Sequence, residues 1–134
     1  PVKNELKDVK EGEFFCPGSC LALEVDPSQP LAFGMPRKAS AFFVSSSAFT
    51  TSLPAGKFDR RVAATYPARD ILQSGWILGE DRLARRAAVV EVRMGPGRVA
   101  LLGFRAQHRA QTPGTYKFLL NALFASAAEP TEIK

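Results

Sequence analysis

The sequence predicts an α+β domain: a strand-rich mixed sheet that ends in an antiparallel hairpin, with a C-terminal helix packed on it. Three observations predict it. Ala87 to Arg93 and Arg98 to Phe104 are apolar, partly β-branched runs on either side of Met94-Gly95-Pro96-Gly97, a tight-turn composition, which together spell a β-hairpin. Thr115 to Ala127 places Phe118, Leu119, Ala122, Leu123 and Phe124 on one broad stripe at helical spacing. Elsewhere short apolar runs alternate with Pro- and Gly-containing turns, the pattern of strands rather than helices.

Along the chain, residues 2–10 read as a weak opening helix. Glu13 to Cys20 is a turn region punctuated by Pro17-Gly18, and Leu21 to Val25 is a strand ended by Asp26-Pro27 and Gln29-Pro30. Gly34-Met35-Pro36 makes another turn. Ser40 to Phe49 reads as one strand, and residues 50–58, with Pro54 and Gly56, as loop. Arg61 to Tyr66 is a strand with Val62, Ala64 and Tyr66 on one face. A short strand or bend around Trp76 follows, then one or two helical turns over Glu80 to Arg86. Arg98 to Phe104, apolar almost throughout, is expected to be a central strand buried on both faces. Thr112 is the expected N-cap of the last helix, with Pro113 at its first position, and the chain is expected to fray beyond Glu129-Pro130.

A chain of 134 residues fits a single domain, 1–134, and buries roughly two-thirds of its unfolded surface. It is 46% hydrophobic and 23% charged, as globular chains are. It has no apolar run near the roughly 20 residues of a membrane span, so no membrane partner is expected. It starts at Pro1 without a visible signal peptide and reads as an excised piece of a longer protein. Net charge is +5, which raises a basic nucleic-acid-binding module as one alternative. The arginines are dispersed, however, and the Phe residues sit in apolar segments, so an ordinary basic surface fits better.

Two cysteines and one histidine bound the chemistry. A structural zinc site takes four Cys or His ligands, so neither metal nor cofactor is expected in this segment. No G-x-S-x-G elbow is present, since Gly18-Ser19-Cys20 lacks the second glycine. A stand-alone cysteine-dependent hydrolase would have to pair Cys16 or Cys20 with His108, and no catalytic residue is assigned. The two cysteines, separated by three residues that include Pro17-Gly18, form either a small disulfide or two reduced thiols. Trp76 and the Phe residues read as core rather than ligand platform. The densest polar stretch runs from Arg105 to Thr112. Arg105, Gln107, His108, Arg109 and Gln111 leave a strand and enter a helix N-terminus, where an anion or partner loop would dock. Capping and bracing of neighbouring loops would use the same side chains.

The run Gly97 to Thr115 (GRVALLGFRAQHRAQTPGT), continued by Lys117 to Leu123 (KFLLNAL), resembles the tail of large bacterial M14-like zinc carboxypeptidases. Phe15 to Ser19 (FCPGS), Pro30 to Pro36 (PLAFGMP), Ala41 to Val44 (AFFV) and Ser74 to Glu80 (SGWILGE) extend the resemblance in order over most of the chain. Such proteins carry a peptidase domain followed by a class I glutamine-amidotransferase-like region. The resemblance therefore implies a partial flavodoxin-like domain as an alternative fold. It also implies a non-catalytic accessory role in a periplasmic or extracellular protein, with zinc held upstream. The implied partners are the upstream peptidase domain of the same chain and a second copy in a homo-oligomer. A working amidotransferase needs a cysteine at a strand-to-helix elbow and a His–Glu pair. Here the cysteines flank Pro17-Gly18, and Ala110 stands two residues after His108, so the region reads as catalytically degenerate.

Overall fold

The computed structural model describes residues 2–53 and 58–128. The predicted α+β class is what these residues form: eight strands and one helix, α1 (Tyr116–Ala127). The strands are β1 (Val2–Asn4), β2 (Ser19–Val25), β3 (Lys38–Phe43), β4 (Phe49–Thr51), β5 (Phe58–Thr65), β6 (Leu72–Ser74), β7 (Ala87–Met94) and β8 (Gly97–Leu102). They make one sheet in the order β1-β4-β7-β5-β2-β3, with β6 added to β2 and β8 to β7. Every described strand pair is antiparallel, unlike the parallel sheet of a flavodoxin-like domain.

The sheet is tied at its two ends by the chain that leaves β8. Gly103 N donates to Ala88 O (2.7 Å), and Ser47 N donates to Gly103 O (3.0 Å). Two residues on, Arg105 N donates to Phe42 O (3.0 Å), at the outer edge of β3. The segment thus crosses from β7 to the far end of the sheet. The fully buried Tyr66 hydroxyl braces the crossing at 3.1 Å from Gly103 O and 3.3 Å from Ser47 O. Only glycine fits here, because a Cβ at Gly103 would overlap Ser47 O and sit 3.0 Å from Ala88 O.

The main core lies inside this wrapped sheet and includes Leu21, Leu23, Phe43, Tyr66, Val89 and Phe118. A second, smaller cluster covers the other face of β7 with Phe49, Ala87, Val90 and Val92. β7 is therefore the strand buried on both faces. The apolar run of β8 is an edge strand instead, exposed from Gly97 to Ala100, because β5 takes the other side of β7. An uninterrupted apolar run satisfies either position, and pairing with β5 decided between them.

Several local expectations change for identifiable reasons. Residues 2–10 open with strand β1, paired to β4, and then turns, rather than a helix. The expected strand Ser40 to Phe49 is two strands, broken at Ser45, whose φ of 45° is left-handed. β5 carries register shifts on either side of Ala64, so Ala63 and Ala64 both enter the main core while Val62 joins the second cluster. Thr50 and Thr51 belong to β4 rather than loop; the expected loop residues Pro54 and Gly56, and the chain beyond Glu129-Pro130, lie outside the described residues. Thr112 (φ 49°) leads into a 3-10 turn, Pro113–Thr115, and α1 starts only at Tyr116. Within α1, Phe118 is the buried residue, packed on Phe104. Phe118 packs the helix on the sheet's core, and hydrogen bonds tie it to the Pro30–Ala32 turn: Asn121 Nδ2 donates to Leu31 O and Phe33 O (both 3.0 Å), and Lys117 Nζ to Gly34 O (2.7 Å).

Replacing Gly103 with alanine forces a Cβ against two backbone carbonyls and should cost about 2–3 kcal/mol, read as a lower urea midpoint at unchanged m-value. Tyr66→Phe removes the brace and should cost about 1–2 kcal/mol. Burial, with Cys16 nearby, pushes the Tyr66 phenol far above its ordinary range. An unfolded tyrosine ionises near pH 10 while the folded one keeps its proton, so stability falls as pH rises past about 10, and the fall should be shallower in Tyr66→Phe.

Candidate functional site

β2 turns Leu21 and Leu23 into the core and leaves Cys20, Ala22 and Glu24 on its outer side. Cys20 faces Phe42 across β3 and Ser74 across β6. The Phe42 ring stacks on His108 (4.9 Å between centroids, 23° between planes). A cleft of about 350 Å³ opens here, lined by Cys20, Phe42, Ser74, Gln111, Thr112 and Pro113.

The wall of the cleft is an unusual turn. Gln111 N donates to His108 O (2.9 Å), and the residues between, Arg109 (φ 50°) and Ala110 (φ 59°), are both left-handed. Two successive left-handed residues form the turn that joins hairpin strands, which normally uses Asn-Gly. Non-glycine residues there cost about 1 kcal/mol each, so the surroundings must hold them. Thr115 does so. Its buried hydroxyl is shared between Thr112 O (2.7 Å) and Ala106 O (2.9 Å) and clamps the turn at both ends.

The five residues singled out in this stretch do not converge. His108 is half-buried on Phe42, whereas Arg105, Gln107, Arg109 and Gln111 are exposed. Arg105 Nε bonds Val44 O (3.2 Å), so this side chain braces the β3 exit. The helix end that was to attract an anion is displaced by the intervening 3-10 turn.

The cysteines also part. Both are free thiols rather than a disulfide. Cys16 points inward and donates to Phe43 O (3.6 Å), and Cys20 lies outward beyond the Pro17-Gly18 bend. Burial pushes the Cys16 thiol up, against weaker opposing hydrogen bonds from Ser19 and Gly18. A raised thiol is the opposite of what a nucleophile needs. No hydrogen bond joins Cys20 to His108 among the described residues; Phe42 is their common neighbour.

The loop opposite is locked by Ser19, which sequence reasoning passed over. Its Oγ accepts from Trp76 N (2.9 Å) and donates to Trp76 O (2.6 Å), and a Cβ at Gly75 would sit 2.5 Å from the same oxygen. The lock turns Trp76 outward, so this ring is half exposed on Phe15 rather than in the core. Phe33 and Phe124 are exposed as well. A second groove, of about 500 Å³, continues past Pro113 between Ser40 and the start of α1. Among the described residues, no three His, Cys, Asp or Glu side chains group as metal ligands would.

In native protein, iodoacetamide should label Cys20 and leave Cys16 untouched until denaturant is added, read by mass spectrometry of the peptides. Equal native labelling of both thiols would contradict the inward placement of Cys16. Compared with known proteins, the chain matches no family model, no curated protein and no solved structure.

Proposed function

We propose that this chain is a non-catalytic accessory domain of a zinc carboxypeptidase-like polypeptide, and that it works by docking α1 on the peptidase domain that precedes it. The observation that carries the reading is the apolar stripe left uncovered on α1. Leu119, Leu120, Leu123 and Phe124 are all exposed, Phe124 at 72%. Phe33, at 75%, stands beside them, because Asn121 ties its carbonyl to the helix. A contiguous apolar patch of this kind marks an interaction surface more often than a free one. Fully burying one such Leu or Phe is worth about 1.5–3 kcal/mol, and a partner domain on the same polypeptide avoids much of the cost of bringing two molecules together.

The sequence resemblance supports the identity of the partner, and the zinc and the chemistry belong to that partner in this reading. A periplasmic or extracellular location follows from the same resemblance. The residues of this chain then supply surface and position rather than a reacting group. The raised Cys16 thiol and the absence of a bond between Cys20 and His108 agree with that division of labour.

Hydrogen exchange tests it. The amides of residues 119–124 should exchange at least about tenfold more slowly in the full polypeptide than in this chain alone, since docking adds to the local opening free energy. Leu123→Glu should abolish the difference. Equal exchange in the two, or a reading frame with no peptidase domain upstream, would overturn the proposal.

A further inference from the structure

β8 is the long strand edge that the fold leaves open. It pairs only with β7, and Gly97 to Ala100 are exposed. At the opposite end of the sheet the β3 edge is bridged by Arg105 and packed by the Pro113–Thr115 turn. Cover at β8 reaches only its exit, where Leu102 packs on the main core, as Ala122 of α1 does. The ladder fixes which groups face outward. Gly103 N donates to Ala88 O, and the β7–β8 register runs unshifted from Val89 opposite Leu102 to Met94 opposite Gly97. Gly97, Val99 and Leu101 therefore turn their N–H and C=O groups to β7, while Arg98 and Ala100 turn theirs away. Among the described residues nothing bonds these outward groups. No lysine, proline or bulge interrupts Arg98 to Leu102, so the edge lacks the usual devices against pairing.

The edge is complementary to itself. An antiparallel copy can bond it only in a register that sets outward groups against outward groups. A two-fold axis at Val99 does so: Arg98 of each copy meets Ala100 of the other, and each such pair exchanges two main-chain hydrogen bonds. Val99 then faces Val99 of the second copy in the close, non-hydrogen-bonded position, which suits β-branched side chains. It is 43% exposed and shares the face of Val92 and Leu101, so the pair extends the second apolar cluster across the seam. An axis at Arg98 would set two like charges opposite each other. On the other face the charges match. Glu91 is buried; its Oε1 lies 3.7 Å from Arg98 Nη1, and its Oε2 has no hydrogen-bond partner among the described residues. Glu91 stands opposite Ala100 on the ladder. In the paired register, Arg98 of one copy falls in a row with Ala100 and Glu91 of the other, about 10 Å from first to last Cα. The small Ala100 side chain leaves the row open, and the arginine and glutamate side chains together span it. Each copy thus offers a second cation to the other's under-compensated acid.

We propose that two copies of this chain associate by pairing β8 with β8 antiparallel about Val99, which joins their sheets into one. The unmet main-chain groups call for a strand, Val99 for an apolar neighbour and Glu91 for a cation, and a second β8 supplies all three. The seam is one short strand pair, so the dimer is a weak one, with a dissociation constant in the roughly micromolar range. This inference stands independently of the α1 stripe and of the parent protein's identity.

Sedimentation equilibrium between about 1 µM and 1 mM chain tests it, and the mass should rise from monomer to dimer across that range. Val99→Lys places a charge on the axis. Ala100→Pro removes an N–H that the β7–β8 ladder does not use. Each should raise the dissociation constant at least about tenfold with the far-UV circular dichroism unchanged. Leu123→Glu, on the α1 stripe, should leave the constant as it is. In a Cys20→Ser background, Val99→Cys should cross-link on mild oxidation at least about tenfold faster than Met94→Cys, which is exposed but lies at the tip of the hairpin, far from the axis. A chain that stays monomeric to about 1 mM, a dimer lost in Leu123→Glu but kept in Val99→Lys, or equal cross-linking at the two positions would overturn the proposal.

Discussion

The contact of Gly103 with Ala88, Ser47 and the Tyr66 hydroxyl is the constraint on which the rest of the arrangement depends. It brings together backbone from β7, the β3–β4 connection and the exit of β8. With a side chain at this position, the exit strand could not approach both carbonyls, and the two ends of the sheet would not be joined. Tyr66 contributes a ring to the core and a hydroxyl to the crossing, so packing and hydrogen bonding there form one unit. It is paired entirely with backbone oxygens, which is how a buried phenol avoids the cost of an unmet donor.

The rest of the C-terminal third follows from that crossing. Once Arg105 has bonded Phe42, the chain must turn back over the sheet edge before it can begin a helix. It does so through the left-handed turn at Arg109 and Ala110, clamped by Thr115. This detour keeps the start of α1 away from the outer edge of β3 and leaves the groove between them. It also fixes which face of α1 meets the Pro30–Ala32 turn, through Lys117 and Asn121, and so which face stays uncovered. One glycine contact thereby positions both the exposed apolar stripe and the groove beside β3.

The candidate site was only partly visible in the sequence. The stretch Arg105 to Thr112 stands out by its polar density, and it does border the cleft through Gln111 and Thr112. Its side chains do not converge, because their directions depend on left-handed backbone at Arg109 and Ala110, and neither residue type signals such a conformation. Ser19 gave no signal at all: a serine at a strand start is unremarkable until the Trp76 loop, 57 residues away, is seen bonded to it. The separation of Cys16 from Cys20 likewise depends on a bend at Gly18 whose direction composition does not encode.

Sequence alone determined the α+β class, the β7–β8 hairpin, a strand over Leu21 to Val25, and the existence of the last helix. Each of these rests on turn chemistry or side-chain periodicity that acts within a few residues. Only the tertiary structure decided that β7 rather than β8 is central, that Ser40 to Phe49 is broken between two distant neighbours, and that α1 leaves most of its apolar stripe uncovered. Those outcomes depend on which strands compete for one edge and on contacts such as Asn121 with Leu31, 90 residues apart. An apolar run specifies that it should be covered; the partner that covers it is set by the fold as a whole.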